Sequence, residues 1–434
     1  MTRTLSKAAP AAASATKTGA WSVTVLLALF MLINYADKAV MGFAARDILK
    51  DLGITAQQFG VVQSAFFWLY FAGALALGAL STKVGLRWLL AVLMLVWVAT
   101  MLPLVGTVSF TVLMLCRLVL GFAEGPAYAI ANHAVHSRFP AEKRALPAGV
   151  VAAGASLGPL LMAPILTWVI VRWSWHAAFG VLAVAGTVWA VLWLTFGKDA
   201  PDASAASQAT ESEVVDAPFT TLIKSGTLIG IALLTFFGYW STTLKIVWLP
   251  IYLSDGLGYS TLTTGRLVMI PYAVAAIGSV SIGALSNRLL AKGFSRRVAR
   301  GYLTGALVVT SGVAMYGFTV VGHGLLQMVL ITLAFSLNTA SFTVAITTVA
   351  DIVHPRKRGA VMGGLVAISS IAGVIAPLVL GYFVENAADE SAGYGEGFAL
   401  VGLLIAVGSL FATFMVHPDR DLARLRVPVQ RSAR

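Results

Sequence analysis

Twelve times along this chain the sequence stays apolar for roughly twenty residues or more, and no other feature limits the possible folds so tightly. A helix rises about 1.5 Å per residue, so about twenty apolar residues cross the roughly 30 Å hydrocarbon core of a bilayer. The runs fall at 21–45, 59–80, 87–106, 108–133, 146–171 and 174–197, then at 226–253, 264–285, 300–321, 324–350, 359–384 and 397–417. Only 11% of residues are charged, against about 25% in a soluble domain. With 58% hydrophobic residues and a mean hydropathy of +0.86, lipid must be the solvent for much of the surface. The sequence therefore predicts an all-α membrane protein of twelve transmembrane helices in two six-helix, pseudo-symmetric bundles. Its expected divisions are a disordered tail (1–20), a first bundle (21–197), a linker (198–225), a second bundle (226–417) and a basic tail (418–434). The linker exchanges apolar residues for Ala, Ser, Asp and Glu, with room for a short interfacial helix.

The basic residues set the orientation. Of 30 Lys and Arg, 23 fall in the segments that are cytoplasmic if the N-terminus is inside. Four (Arg46, Lys50, Arg172, Arg266) fall in outside loops, and three (Lys38, Arg117, Lys245) lie within spans. The last outside loop carries Glu385, Asp389, Glu390 and Glu396 without a base. The positive-inside rule then predicts both termini in the cytoplasm, and the expected location is the inner (cytoplasmic) membrane. A net charge of +12 could by itself suggest nucleic acid. The bases nevertheless sit in short clusters between apolar runs, without an aromatic-interleaved patch, so the expected partner of the surface is membrane lipid. The lone cysteine, Cys116, permits no intramolecular disulfide and reads as a small core residue. The small-residue stretch Ala11–Ala15 precedes the first apolar run, where a signal-peptidase site would follow it, so that run is expected to be an uncleaved span.

The halves repeat. Gly78-Ala-Leu-Ser81 after the second run matches Gly283-Ala-Leu-Ser286 after the eighth. Phe139-Pro-Ala-Glu-Lys-Arg-Ala145 matches His354-Pro-Arg-Lys-Arg-Gly-Ala360, and each is followed by a span proline, Pro164 or Pro377. Two matches in one order imply duplication, which places a substrate site at mid-membrane between the halves.

These residues resemble the major facilitator superfamily over nearly the whole chain, and the fold the resemblance implies is the major facilitator fold. Gly78-Ala-Leu-Ser-Thr-Lys-Val-Gly-Leu-Arg87 is similar to that superfamily's Gly-x-x-x-Asp-Arg-x-Gly-x-Arg signature, departing from it at Thr82 and Lys83. The usual Asp helps latch the halves, so a weakened or differently built latch is expected. Asn34-Tyr-Ala-Asp-Lys38 is similar to the Asn-Tyr-x-Asp-Arg of the anion:cation symporters, which include sugar-acid, phthalate and sialic-acid carriers. Arg117-Leu-Val-Leu-Gly-Phe-Ala-Glu-Gly-Pro126 and Trp248-Leu-Pro-Ile-Tyr-Leu253 resemble further segments of that family. In such symporters the first-span Asp and fourth-span Glu carry protons, and the basic residue beside the Asp helps recognise the anion.

The residues argue for the same chemistry by themselves. An ionisable side chain at membrane depth costs several kcal/mol unless paired or hydrated, and five stand there: Asp37, Lys38, Arg117, Glu124 and Lys245. One reading makes them internal ion pairs, with Arg117 and Glu124 two turns apart on one helix face. The other makes them a site. If they converge, their charge totals +1 with both carboxylates ionised and +3 with both protonated. An arriving anion neutralises a base, withdraws its support from the carboxylates and favours proton uptake, a linkage that is reciprocal. Asp37 and Glu124 are the expected proton-coupling residues. Lys38, Arg117, Tyr35, Tyr70, Lys245, Tyr128, Tyr239, Trp240, Asn338 and Ser370 are the expected substrate-binding set, the aromatics among them also fitting packing or belt roles.

Lys38 presents a point charge where the family has an arginine fork. With Gly154-Ala-Ser156 and Ser369-Ser370 where sugar-acid carriers use amides, the pocket is expected to favour an aromatic carboxylate or compact dicarboxylate. His133 and His136 read as interfacial residues or a proton relay, and Asp351 as a loop ion pair beside Arg356–Arg358. Pro126, Pro159, Pro164, Pro250, Pro271 and Pro377 are candidate kinks. The expected partners are a small organic anion and protons, the expected state a monomer, and no cofactor or metal is implied. The alternative is proton-driven export of drugs or organic cations, which three intramembrane bases against two acids disfavour. No nucleophile–base pair or phosphate loop suggests an enzyme.

Overall fold

The computed structural model describes residues 11–81, 83–139, 143–197 and 216–426. Among the described residues twelve helices are long and apolar enough to cross a membrane, one for each apolar run. In the first half they are α1 (Gly19–Leu52), α2 (Ala56–Leu80), α3 (Leu86–Val105), α4 (Phe110–His136), α5 (Leu146–Arg172) and α6 (Trp175–Phe196). In the second they are α7 (Gly226–Val247), α8 (Thr261–Ala291), α9 (Arg297–Val320), α10 (Leu325–Ile352), α11 (Lys357–Asn386) and α12 (Glu390–Met415). No strand occurs among the described residues.

Where helix ends depart from the hydropathy edges, capping explains the difference. The α2 helix starts at Ala56 because Thr55 and Gln58 form a reciprocal capping box. The α12 helix starts at Glu390, ahead of its apolar run, because the Asp389 carboxylate accepts from the Ala392 N–H at 2.8 Å. At the other extreme, helix continues upstream of α1 as far as Ala11. Alanine is the strongest helix former, and that stretch is alanine-rich and continuous with α1.

Three spans are interrupted. The α2 span breaks at Leu69, α4 at Gly125–Pro126 and α10 at Leu337–Asn338. Of the candidate kink prolines, Pro126 stands at a break and Pro250 lies just past the end of α7, while Pro159, Pro164, Pro271 and Pro377 sit inside continuous helices. The α4 and α10 breaks occupy corresponding places in the two halves.

Packing repeats between halves. The α1 helix packs on α5 and α6 as α7 packs on α11 and α12, and α3 lies on α6 as α9 lies on α12. The halves meet through α2 against α11 and α5 against α8, pairs that exchange under a two-fold axis. Among the described residues, glycine-mediated close approach of the halves gathers toward one end of the bundle. There a Cβ on Gly42 would stand 2.5 Å from the Ile246 carbonyl oxygen, one on Gly60 2.6 Å from that of Pro377, and one on Gly265 2.3 Å from Thr167 Oγ1. At the opposite end Gly78, Gly149, Gly278, Gly359 and Gly363 face open space. The molecule is closed at one end and parted at the other, the end that carries the basic loops.

The linker residues 216–225 include a short helix, Phe219–Ile223. After α12 comes α13 (Pro418–Arg426), which replaces the front of the expected tail. Asp421 docks it by accepting from Ser225 Oγ at 2.7 Å and the Thr227 N–H at 2.8 Å, at the start of α7. Burial pushes the Asp421 carboxyl up, but these hydrogen bonds together with that of Arg420 outweigh it and hold the group below the usual range. The latch expectation at Thr82, most of the linker (198–215) and the end of the basic tail (427–434) lie outside the described residues.

Candidate functional site

The centre of the first half is built where α1, α2 and α4 cross. Gly73 and Gly121 remove the side chains that would separate α2 from α4: a Cβ on either would stand 1.8 Å from a carbonyl oxygen of the other helix, at Phe122 and Phe66. This approach lets α4's charged residues reach the other two helices. Glu124 is the last residue before α4 breaks, and it forms an ion pair with Lys38 of α1. The Lys38 ammonium also donates to Asn34 Oδ1, one turn earlier, at 2.5 Å.

Arg117 does not pair directly with Glu124. Its Nη2 donates to Gln63 Oε1 of α2 at 3.3 Å, and its guanidinium lies 4.7 Å from the Phe66 ring centroid. Lys38 stands over Tyr35 at 4.7 Å and over the same Phe66 ring at 5.5 Å, so two cations flank one aromatic ring. Asp37 is fully buried beside Glu124, within electrostatic reach of Arg117 and Lys38. Four ionisable side chains thus share one buried site, none more than 7% exposed.

Several donors there are unused. Arg117 Nε and Nη1, Asn34 Nδ2 and Gln63 Nε2 are buried without a partner. An unmade buried hydrogen bond costs about 1–3 kcal/mol, so this cluster is built to receive acceptors. Between the halves a cavity of about 10 Å³ touches Lys38, Gln63 and Arg117 on one side and Thr243, Ile246 and Val247 on the other. That is space for about one water, not for an organic molecule, so larger ligands require the halves to part.

Tyrosines surround the cluster. Tyr35, Tyr70 and Tyr239 are each within electrostatic reach of Glu124. Tyr70 packs on Phe66 and Phe67, and Tyr239 meets Phe67 across the halves at 6.0 Å. Tyr128 neighbours Tyr35 and is 43% exposed.

The remaining expected site residues lie apart. Trp240 is buried against Phe236. Asn338 Nδ2 donates to the Gly238 carbonyl at 3.1 Å and to Thr242 Oγ1 at 2.7 Å, bracing the α10 break. The Ser370 hydroxyl is spent on the Val366 carbonyl of its own helix. Lys245 stands in the second half, donating to the Phe335 carbonyl at 2.9 Å over the Tyr272 ring at 4.7 Å. Four of the five intramembrane charges therefore converge, without the fifth. His133 and His136 are exposed on the α4 segment after the break. Asp351 is held by Arg300 of α9 at 3.2 Å and by Arg296, just before α9, at 4.0 Å.

Sequence reasoning passed over Gln63 and Tyr272. Gln63 was legible as an amide in an otherwise apolar run, where polar groups are expensive. Nothing in the local sequence of Tyr272 sets it apart.

A membrane protein of two pseudo-symmetric six-helix bundles, closed at one end over a buried charged site, is the architecture of a secondary transporter. The family model described as Major Facilitator Superfamily matches residues 27–337, and the chain belongs to that superfamily. The hexuronate transporter of Bacillus subtilis is 29% identical over 407 residues, covering 91% of this chain and 94% of that protein. A probable sulfoacetate transporter of Cupriavidus necator is 27% identical, covering 90% and 92%. The D-galactonate transporter of Escherichia coli is 28% identical, covering 87% and 90%. Among solved structures, a bacterial homologue of the lysosomal transporter Spinster superposes with a TM-score of 0.77 at 16% identity, covering 94% and 98%. A D-xylose–proton symporter superposes at 0.72 and 14%, covering 92% and 99%. At those identities the structures establish the fold. The protein is a multi-pass membrane transporter of the major facilitator fold.

Proposed function

We propose that this transporter imports an organic carboxylate anion together with protons by alternating access across the inner membrane, with both termini cytoplasmic. The observation that carries this reading is the Asp37–Lys38–Arg117–Glu124 cluster: two carboxylates and two bases in one buried site, with unused donors on Arg117, Asn34 and Gln63. An anion that engages Lys38 competes with Glu124 for it. Glu124 then loses its counter-charge, and a proton replaces it. Removing the anion restores the ion pair and releases the proton. Asp37, buried beside Glu124, works on the same charge balance. Uptake of anion and proton are thereby linked in both directions. The curated relatives named for hexuronate, galactonate and sulfoacetate are all named for anions, which supports the anion half of the reading.

Within that class the residues favour a compact dicarboxylate or an aromatic carboxylate over a polyhydroxylated sugar acid. Gly154 offers no side chain and is pressed on the Ala28 carbonyl, and the Ser370 hydroxyl is already satisfied. Neither of these positions offers a free group to a sugar hydroxyl, while Phe66, Phe67 and Tyr239 supply apolar walls. The test is internal pH in proteoliposomes loaded with a trapped pH dye, with protein-free vesicles correcting for leak. Acidification by a few carboxylates, lost in Asp37→Asn and Glu124→Gln, is the expected result. Alkalinisation on adding an organic cation, with no response to acids, would favour proton-driven export instead.

A further inference from the structure

The two halves hold a cation at corresponding places with different partners. In the first half Lys38 of α1 lies beside the break in α4 and is neutralised by Glu124. In the second, Lys245 of α7 lies beside the break in α10 and receives only the Phe335 carbonyl and the face of Tyr272. It is 5% exposed, and among the described residues no carboxylate pairs with it. One carbonyl dipole and one ring satisfy part of an ammonium with three N–H donors. A buried charge without a counter-charge is expensive, and the first half shows how the same fold supplies one when it comes from the protein.

Tyr272 links this cation to the centre. It is 5% exposed, its hydroxyl is buried without a hydrogen-bond partner, and it lies within electrostatic range of Tyr35 of α1 across the halves. Thr243, which lines the cavity between the halves, likewise has a buried hydroxyl with no partner. The second half therefore presents an unneutralised cation and two unused hydroxyls near the inter-half centre, and no acid.

We infer that Lys245 and Tyr272 form a second anion subsite, so that the preferred substrate is a dianion with one acid group held by each half. This rests on the organic-anion reading above and narrows it. The first acid group lies with Lys38 and Arg117, and the second is held by the Tyr272 hydroxyl under the field of Lys245. A dianion draws the two halves onto itself, and a monoanion leaves Lys245 unneutralised. The spacing of the two acid groups then selects among substrates, and either a carboxylate or a sulfonate meets the requirement for a second negative group.

The test is a fluorescence titration of the purified full-length protein with matched pairs: succinate against butyrate, phthalate against benzoate, and galactarate against galactonate. Wild type is expected to bind one dianion at least about tenfold more tightly than its monoanionic partner, a difference of about 1.4 kcal/mol. Lys245→Met should remove that preference by weakening the dianion alone, leaving the monoanion within about twofold, and Lys245→Arg should keep it. Tyr272→Phe, which preserves the ring, should weaken the dianion selectively. Equal loss for both members of a pair in Lys245→Met and Tyr272→Phe, or an undiminished dianion preference in both, overturns the subsite. Wild type that carries acids with protons but does not discriminate within any pair overturns the subsite alone. Wild type that neither binds nor moves any of these acids overturns the organic-anion reading and the subsite with it.

Discussion

Asp37 and Glu124 are both fully buried carboxylates, but only Glu124 is ion-paired. Their removal should therefore separate stability from coupling. Glu124→Gln strands the Lys38 ammonium, and breaking a buried pair from one side costs about 3–5 kcal/mol. Thermal unfolding in detergent should show a large loss for Glu124→Gln and recovery of much of it in the double variant with Lys38→Met. Asp37→Asn leaves the Lys38–Glu124 ion pair in place, so it should unfold near the wild-type temperature. It should nonetheless abolish concentrative uptake. Similar melting of both single variants would mean that Lys38 is not held by Glu124. The presence of these charges was legible in the sequence, since each is costly in lipid. Their pairing was not: spacing along α4 put Arg117 and Glu124 on one face, whereas the folded protein gives Lys38 to Glu124 and Gln63 to Arg117.

That difference arises at the level of helices. Apolar length disclosed all twelve spans, because lipid imposes one rule on each of them separately. The breaks were less visible. Pro126 marks the one in α4, but α2 and α10 break at Leu69 and at Leu337–Asn338 without proline, and four other candidate prolines leave their helices continuous. A break depends on what neighbouring helices can satisfy, as Asn338 does by donating to α7, and such partners are remote in sequence. The approach of α2 to α4 is governed similarly by glycines on both helices. Gly121→Ala forces a methyl against the Phe66 carbonyl and should cost about 1–3 kcal/mol, with loss of transport as Arg117 and Glu124 shift away from α1 and α2. Gly149→Ala on α5 faces open space and should unfold no earlier than wild type, with helix propensity in its favour. Equal tolerance of both changes, read by thermal unfolding, would mean that α2 and α4 are not in close contact.

At the scale of the molecule, transport requires the closed end to open, and two carboxylates there should act in opposite directions. Glu385 of α11 accepts from the Gln57 N–H in the first turn of α2 at 2.9 Å, joining the halves through the positive end of a helix. Asp255, in the turn between α7 and α8, stands 3.7 Å from Arg46 of α1, beside a cavity of about 900 Å³ that Glu385 also lines. Arg46 is 70% exposed at its side chain, so this pair is weak. Burial pushes the Asp255 carboxyl above its ordinary value near 3.8, and the Ser254 hydrogen bond and Arg46 offset only part of the rise. With the end closed Asp255 therefore binds a proton more tightly than it does once solvated by opening. As pH falls through the raised value the closed form gains, and the gain is complete below the ordinary value. Asp255→Asn mimics the protonated form and should populate the closed end more, with its pH dependence reduced. Glu385→Gln loses the charge at the α2 N-terminus and should favour opening by up to about 1 kcal/mol. Spin labels on Lys50→Cys and Asn386→Cys, with Cys116→Ser, report the distance across this end. Shorter distances in Asp255→Asn and longer ones in Glu385→Gln are expected. If Asp255→Asn opens the end as Glu385→Gln does, the ion pair with Arg46 outweighs burial, and acid would then unlatch the closed end instead of holding it.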